Sequence, residues 1–276
     1  MKTITFFTTF HKPGFDLYGK RWLSTFLRNI EKFNPNVFAR IYTEGVEAPG
    51  QHPKIDFLDF DITLPDHALW EEQVRSKFEL FDVPCPDIMQ ETVRFSHKAF
   101  VIQHALKTIT TDYAVWLDAD CIFYKESYDG FPQSIMADKF LACQLEENIE
   151  NDSGNHIESG LLVFDMHHAD TARFAQGFSD NYKVERLKKY VRPFDGYIIN
   201  RTLEELKLPY TNLNEEYGVV GIQGDASSTF LHPEISKRFK HNIGAYGKSE
   251  YKDWDKIKHL DETFQQLSEH IRKHPR

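Results

Sequence analysis

Five consecutive apolar residues, Tyr113-Ala114-Val115-Trp116-Leu117, run directly into Asp118-Ala119-Asp120, and apolar character resumes at Ile122-Phe123. A run this short, free of charge and rich in valine and aromatics, predicts a strand covered on both faces. Such strands belong to open α/β sheets, whose ligands gather at the carboxyl ends of the strands. Here that end carries two carboxylates. Hard divalent cations take carboxylate oxygens, and a cation held in this way can carry a diphosphate.

The Asp-x-Asp pattern occurs twice more, and the surroundings separate the three copies. Asp59-Phe60-Asp61 follows an apolar run over 55–60 that Asp56 interrupts. Asp253-Trp254-Asp255 sits in a polar stretch, where Asp255 reads as the N-cap of a following helix. Only the copy at 118–120 follows a charge-free strand of core character.

The rest of the chain alternates strand and helix, as a mostly parallel sheet with helices on both faces requires. Strands are expected over 3–10, 37–43, 55–60, 139–145 and 160–165. A helix is expected from Asp16 onward, with Leu23, Phe26, Leu27 and Ile30 on one face, and others over 96–108 and 169–183. Residues 62–93 read as an irregular excursion, because Pro84 and Pro86 break a helix. Ile257, Leu260, Phe264, Leu267 and Ile271 recur at spacings of three and four, which predicts a terminal amphipathic helix docked on the body of the chain.

Composition narrows the functional classes. With 276 residues and 41% hydrophobic content, the chain has ample material for a well-buried core. A formal net charge of −9 argues against a protein that lives on duplex nucleic acid, where neutralising phosphate dominates affinity. No run of 18 apolar residues is present, so no transmembrane helix is expected. The opening Met1-Lys2-Thr3-Ile4-Thr5-Phe6-Phe7 is too short an apolar stretch for a secretion signal and reads as a first strand. Cys85, Cys121 and Cys143 are too widely spaced for a disulfide framework or a zinc cluster, which suits reduced thiols in a cytoplasmic protein.

Three further stretches carry chemistry. Glu158-Ser159-Gly160 precedes the apolar run Leu161-Leu162-Val163-Phe164. Gly160 allows close backbone approach there, and Ser159 offers a hydroxyl and an amide to a sugar, although an ordinary turn into a strand would read the same. In Pro193-Phe194-Asp195-Gly196-Tyr197, the acid is either a helix cap or a carboxylate in a partly desolvated pocket. His241 and Lys248 bracket two glycines, offering a metal ligand and a positive charge for phosphate; His232 is the rival for the ligand role.

In this order the pieces resemble GT-A-type glycosyltransferases. The pattern is most similar to glycosyltransferase family 8, whose motifs read approximately Leu-Asp-x-Asp, Asn-Ser-Gly, Asp-Gln-x-x-Leu-Asn and His-x-x-Gly-x-x-Lys. Here they stand as Leu117-Asp118-Ala119-Asp120, Glu158-Ser159-Gly160, Asp195-Gly196-Tyr197-Ile198-Ile199-Asn200 and His241-Asn242-Ile243-Gly244, with Lys248 one residue late. Tyr18-Gly19-Lys20-Arg21 and Arg94-Phe95-Ser96-His97-Lys98 also resemble stretches of GT-A-like proteins from phages and bacteria. Glu158 replaces an asparagine, and Gly196 replaces the glutamine that faces the donor sugar, so the resemblance carries no stereochemical expectation.

The resemblance implies one GT-A domain over 1–276: a nucleotide-binding half (1–125), a sugar and acceptor half (126–250) and a C-terminal helix (251–276). It implies transfer of a sugar from a nucleotide diphosphate-sugar, UDP-linked in the first instance, to a hydroxyl of a glycan or other acceptor. Thr8, Thr9, Phe10 and Tyr18 would meet the base and ribose. Asp118, Asp120 and His241 would hold Mn²⁺ or Mg²⁺, and Arg94, Lys98 and Lys248 would add positive charge. Ser159 and Gly160 would border the sugar, with Asp195 or Glu158 acting on it. Two other readings remain: a non-catalytic GT-A-like module that binds nucleotide or glycan, and a sugar nucleotidyltransferase. The second lacks its glycine-rich loop, since residues 8–14 read Thr-Thr-Phe-His-Lys-Pro-Gly.

Overall fold

The computed structural model describes residues 2–47, 52–81, 87–123, 130–146, 155–214, 235 and 239–241. The expected C-terminal helix, its cap Asp255, and Lys248, His232 and Cys85 lie outside these residues. Cys121 and Cys143 are buried free thiols.

The chain starts with β1 (Ile4–His11), passes through a short helical stretch and a π turn, and continues as α1 (Lys20–Phe33) into β2 (Val37–Glu44) and β3 (Ile55–Asp59). Helices α2 (Asp66–Lys77) and α3 (Asp87–Thr108) precede β4 (Tyr113–Leu117) and the short β5 (Cys121–Phe123). Strands β6 (Leu141–Glu146) and β7 (His156–Asp165) follow, then α4 (Ala169–Asn181), α5 (Asp195–Leu206), β8 (Thr211–Asn212) and β9 (Phe239–His241).

A seven-stranded sheet runs in the order β3-β2-β1-β4-β7-β6-β8, and β5 pairs with β9 in a separate ribbon. The first four strands are parallel, so their carboxyl ends share one edge. Strand β7 is antiparallel to β4, with Leu161 opposite Leu117. It therefore enters the sheet where β4 leaves it, and the Asp118 amide extends the ladder to the Gly160 carbonyl at 2.9 Å. This antiparallel entry brings Glu158-Ser159-Gly160 beside the aspartate pair.

Alternation along the strands divides the core into two layers. Phe7, Ala114, Trp116 and Phe164 face the side packed with α3, α4 and α5. Phe6, Phe10, Val115 and Leu117 face α1, where Trp22, Leu23, Phe26 and Leu27 fill the space. The mostly parallel sheet, its helices and the fully buried β4 match the sequence expectation.

Residues 62–93 depart from it, because much of this stretch is helical. Asp59 caps a turn of helix over Phe60–Thr63 by accepting from the Ile62 amide at 2.9 Å. Aspartate is among the favoured N-cap residues, and that is the role this copy of the pattern takes. In α2 the inward positions are His67, Trp70 and Val74, spaced three and four apart. A hydrophobic period carried by His and Trp is easily missed. Helix α3 is described from Asp87, and Pro84 and Pro86 lie outside the described residues.

Candidate active site

Lys98 lies on α3 and is 8% exposed, an unusual burial for a lysine. Its Nζ donates to Asp118 Oδ1 at 2.9 Å and to Ser159 Oγ at 2.9 Å, and lies 3.2 Å from Asp195 Oδ2. Ser159 Oγ in turn donates to Asp195 Oδ2 at 2.6 Å. The Trp116 indole N–H donates to Asp118 Oδ1 at 2.7 Å, and the Lys98 ammonium stands 5.1 Å from the centre of its ring. Helix α3, strands β4 and β7 and helix α5 each contribute to this cluster. Burial pulls the Lys98 ammonium towards its neutral form, but Asp118 and Asp195 outweigh it and raise the group above its ordinary value. Two carboxylates thus share one cation.

The approach of α5 to β7 makes the cluster possible. A Cβ on Gly196 would lie 2.2 Å from the Ile157 carbonyl oxygen, so only glycine lets the first turn of α5 sit against that strand. Asp195, 2% exposed, opens the helix at this point and meets Ser159. Position 196 aims at strand backbone in this chain, leaving no room for a side chain that would face a sugar.

The other residues singled out in the sequence are distributed as follows. Asp120 is half-buried at the strand edge near Tyr18; burial first, and then the Asp120 charge, raises the Tyr18 phenol. Glu158 folds back on its own strand and accepts from the Gly160 amide at 3.1 Å through both oxygens. Arg94, one helical turn before Lys98, is exposed, with its guanidinium 4.5 Å from the centre of the Phe95 ring. Thr9 donates its hydroxyl to the Tyr42 carbonyl at 3.3 Å. Thr8 and Phe10 are buried in the core, Phe10 edge-on to Phe15 and Trp22, so they meet a ligand only through their backbone. Strand β9 places His241 opposite Cys121, one residue beyond Asp120 across the ribbon.

Asp118 and Asp120 are the two carboxylates that the sequence reading offers to a divalent cation. Among the described residues there is no cluster of three His, Cys, Asp or Glu side chains. A magnesium-like ion does not need one, because it keeps several waters and takes one or two carboxylates together with substrate phosphates. The pair fits that pattern. Both described hydrogen bonds to Asp118 land on Oδ1, which orients the carboxylate from one side.

Trp116 is the residue that sequence reading missed, having counted it only as part of a core strand. Its signal was available: residues two apart in a strand share a face, and an indole N–H needs an acceptor when buried.

The sheet order, with a parallel first half followed by an antiparallel strand at the carboxylate pair, is that of the GT-A fold. Among solved structures, the bifunctional glycosyltransferase WbbM in its apo form matches with a TM-score of 0.50 at 14% identity, over 88% of this chain and 46% of that one. Apo GlyE of Streptococcus pneumoniae TIGR4 matches at a TM-score of 0.47 and 14% identity, over 97% of this chain and 64% of its own. The galactosyltransferase LgtC, solved with donor and acceptor sugar analogues, matches at 0.44 and 13% identity, with 87% of each chain covered. The fold assignment rests on WbbM. The chain spans less than two thirds of the length of WbbM and of GlyE. No protein-family model matches the chain, and no curated protein matches it in sequence.

Proposed function

We propose that this chain is a metal-dependent glycosyltransferase that moves a sugar from a nucleotide diphosphate-sugar, UDP-linked in the first instance, to an acceptor hydroxyl in glycan synthesis. The observation that carries this reading is the Lys98–Asp118–Ser159–Asp195 cluster at the carboxyl edge of a GT-A sheet. Fold alone does not specify chemistry, but this site supplies the groups that a sugar diphosphate needs.

Asp118, Asp120 and His241 would hold Mn²⁺ or Mg²⁺. When bound, the cation stabilises negative charge on the departing nucleoside diphosphate. Lys98 places its ammonium between Asp118 and Asp195, 2.9 and 3.2 Å from their carboxylates, beside the edge where the sugar would lie. Arg94 and Lys248 would add positive charge for the phosphates, and Tyr18, which feels the Asp120 charge, would meet the base or ribose. Ser159 and Gly160 line the sugar. Asp195 is favoured over Glu158 for acting on the sugar or on the acceptor hydroxyl, since its carboxylate is buried in the cluster while Glu158 is turned back onto Gly160.

The test is thermal stability with UDP, GDP, ADP and CMP, each with and without Mn²⁺. A ligand at about 100 times its dissociation constant adds roughly 2.7 kcal/mol, a shift of a few degrees for a chain of this size. A shift for one nucleotide that requires Mn²⁺ and disappears in Asp120→Asn is the expected result. No shift with any nucleotide overturns the donor assignment and leaves the non-catalytic glycan-binding reading.

A further inference from the structure

Beside Asp195 stands a second set of side chains that the transfer chemistry leaves unused. Phe194, the residue before Asp195, is half-buried; its ring centre lies 6.3 Å from that of Phe95 and 5.8 Å from that of His156. Phe95, also half-buried, sits three residues before Lys98 on α3, and the Arg94 guanidinium covers it from one side. His156 opens β7, three residues before Ser159, and pairs in register with Glu146, the last residue of β6. His156 Nε2 lies 2.9 Å from Glu146 Oε2, and the two side chains keep 24% and 20% of their surface exposed. The other ring nitrogen, Nδ1, is buried with no hydrogen-bond partner among the described residues, so the ring turns its outward nitrogen to Glu146. A carboxylate and an aromatic ring, both open to solvent in part, thus flank the buried acid of the Lys98 cluster.

We propose that Phe194 and Glu146 form the acceptor subsite, and that the acceptor is a glycan ending in a neutral hexose. The C–H face of that hexose lies on the Phe194 ring, and one of its hydroxyls donates to the Glu146 carboxylate. This rests on the transfer reading above and deepens it by naming the acceptor class. A hexose suits the pair because it has an apolar face for a ring and hydroxyl donors for an acceptor-only group. An aliphatic chain would strip water from Glu146 and offer no donor in return. An acidic sugar or a phosphate would meet a like charge at Glu146, and again at Glu158, which occupies the next pair along the same ladder opposite Gln144.

The experiment is saturation-transfer NMR on the full chain with the methyl glycosides of glucose, galactose, N-acetylglucosamine and glucuronic acid. Each is tested with and without nucleotide and Mn²⁺, and titrated where it responds. The expected result is transfer to the ring protons of at least one neutral hexoside. Its affinity should fall roughly tenfold in Glu146→Ala, through loss of one charge-assisted hydrogen bond. Phe194→Leu, which keeps apolar bulk without the flat face, should weaken it as well, and Glu146→Gln serves if Glu146→Ala fails to fold. Both subsite variants should keep the Mn²⁺-dependent nucleotide shift of the parent, whereas Asp120→Asn should lose it. No response from any neutral hexoside, tighter binding of the glucuronide, or unchanged affinity in the folded subsite variants overturns the acceptor assignment, and a nucleotide shift in the same samples keeps the donor reading. Hexoside binding that weakens in the variants, with no nucleotide shift, upholds the subsite and overturns the donor reading.

Discussion

The Trp116 indole N–H donates to Asp118 Oδ1 at 2.7 Å, from a residue two positions earlier on the same face of β4. The strand that carries the aspartate thus also carries the group that orients it. Lys98 reaches the same oxygen from the helix above, so that oxygen is held from two directions.

Trp116→Phe keeps an aromatic ring under Lys98 and removes only the N–H. A hydrogen bond to a charged group contributes about 1.5–3 kcal/mol. Mn²⁺-dependent nucleotide affinity should fall roughly ten- to hundredfold, measured by calorimetric titration. A variant that binds like the parent would show that Lys98 alone suffices to orient Asp118.

Lys98→Met leaves Asp195, 2% exposed, without its cation. Removing one partner of a buried pair costs about 3–5 kcal/mol, so chemical denaturation should show a loss of that order. Because the Lys98 ammonium is raised above its ordinary value, its contribution is present in full at neutral pH and is lost only as pH climbs through that raised value in strong alkali. The deficit of the variant should therefore be constant from neutral to mildly alkaline pH. Additional loss of the same buried charge through Asp195→Asn should restore part of the stability.

Gly196→Ala would place a Cβ 2.2 Å from the Ile157 carbonyl oxygen, where backbone must move. Overpacking of this kind costs about 1–3 kcal/mol. The shift separates Asp195 from Ser159, so sugar transfer should fall further than nucleotide affinity. Activity and calorimetry on one preparation decide it; equal losses in both would mean that the helix moves as a unit without opening the contact.

His67 gives the fold a pH dependence on the acid side. Burial first, and then neighbouring His97, lowers its pKa from 6.5 to about 4. The unfolded chain binds that proton more readily, so stability should decline as pH falls from about 6.5 towards 4, by roughly 3 kcal/mol in total. In His67→Gln the midpoint of thermal unfolding should vary less over this range. An identical slope in parent and variant would assign the acid sensitivity to other groups.

The sequence by itself determined the alternation of strand and helix, the burial of β4 and the position of two carboxylates at its end. These are local properties: a charge-free run of five apolar residues has one favourable environment, and the residue after it falls at the sheet edge. Even there, the helices between 60 and 93 escaped notice because their inward positions are His67 and Trp70 and not a run of aliphatics. The site itself was decided by tertiary structure. Lys98 reads as one charged residue on an exposed helix face until α3 lays it over β4, and Asp195 reads as a helix cap until α5 meets β7 through Gly196. The contacts from Ser159 to Lys98 and to Asp195 span 61 and 36 residues. Pairings at such distance depend on how strands order themselves in the sheet, in particular on the antiparallel entry of β7 beside β4, and no local pattern of residue types encodes that order.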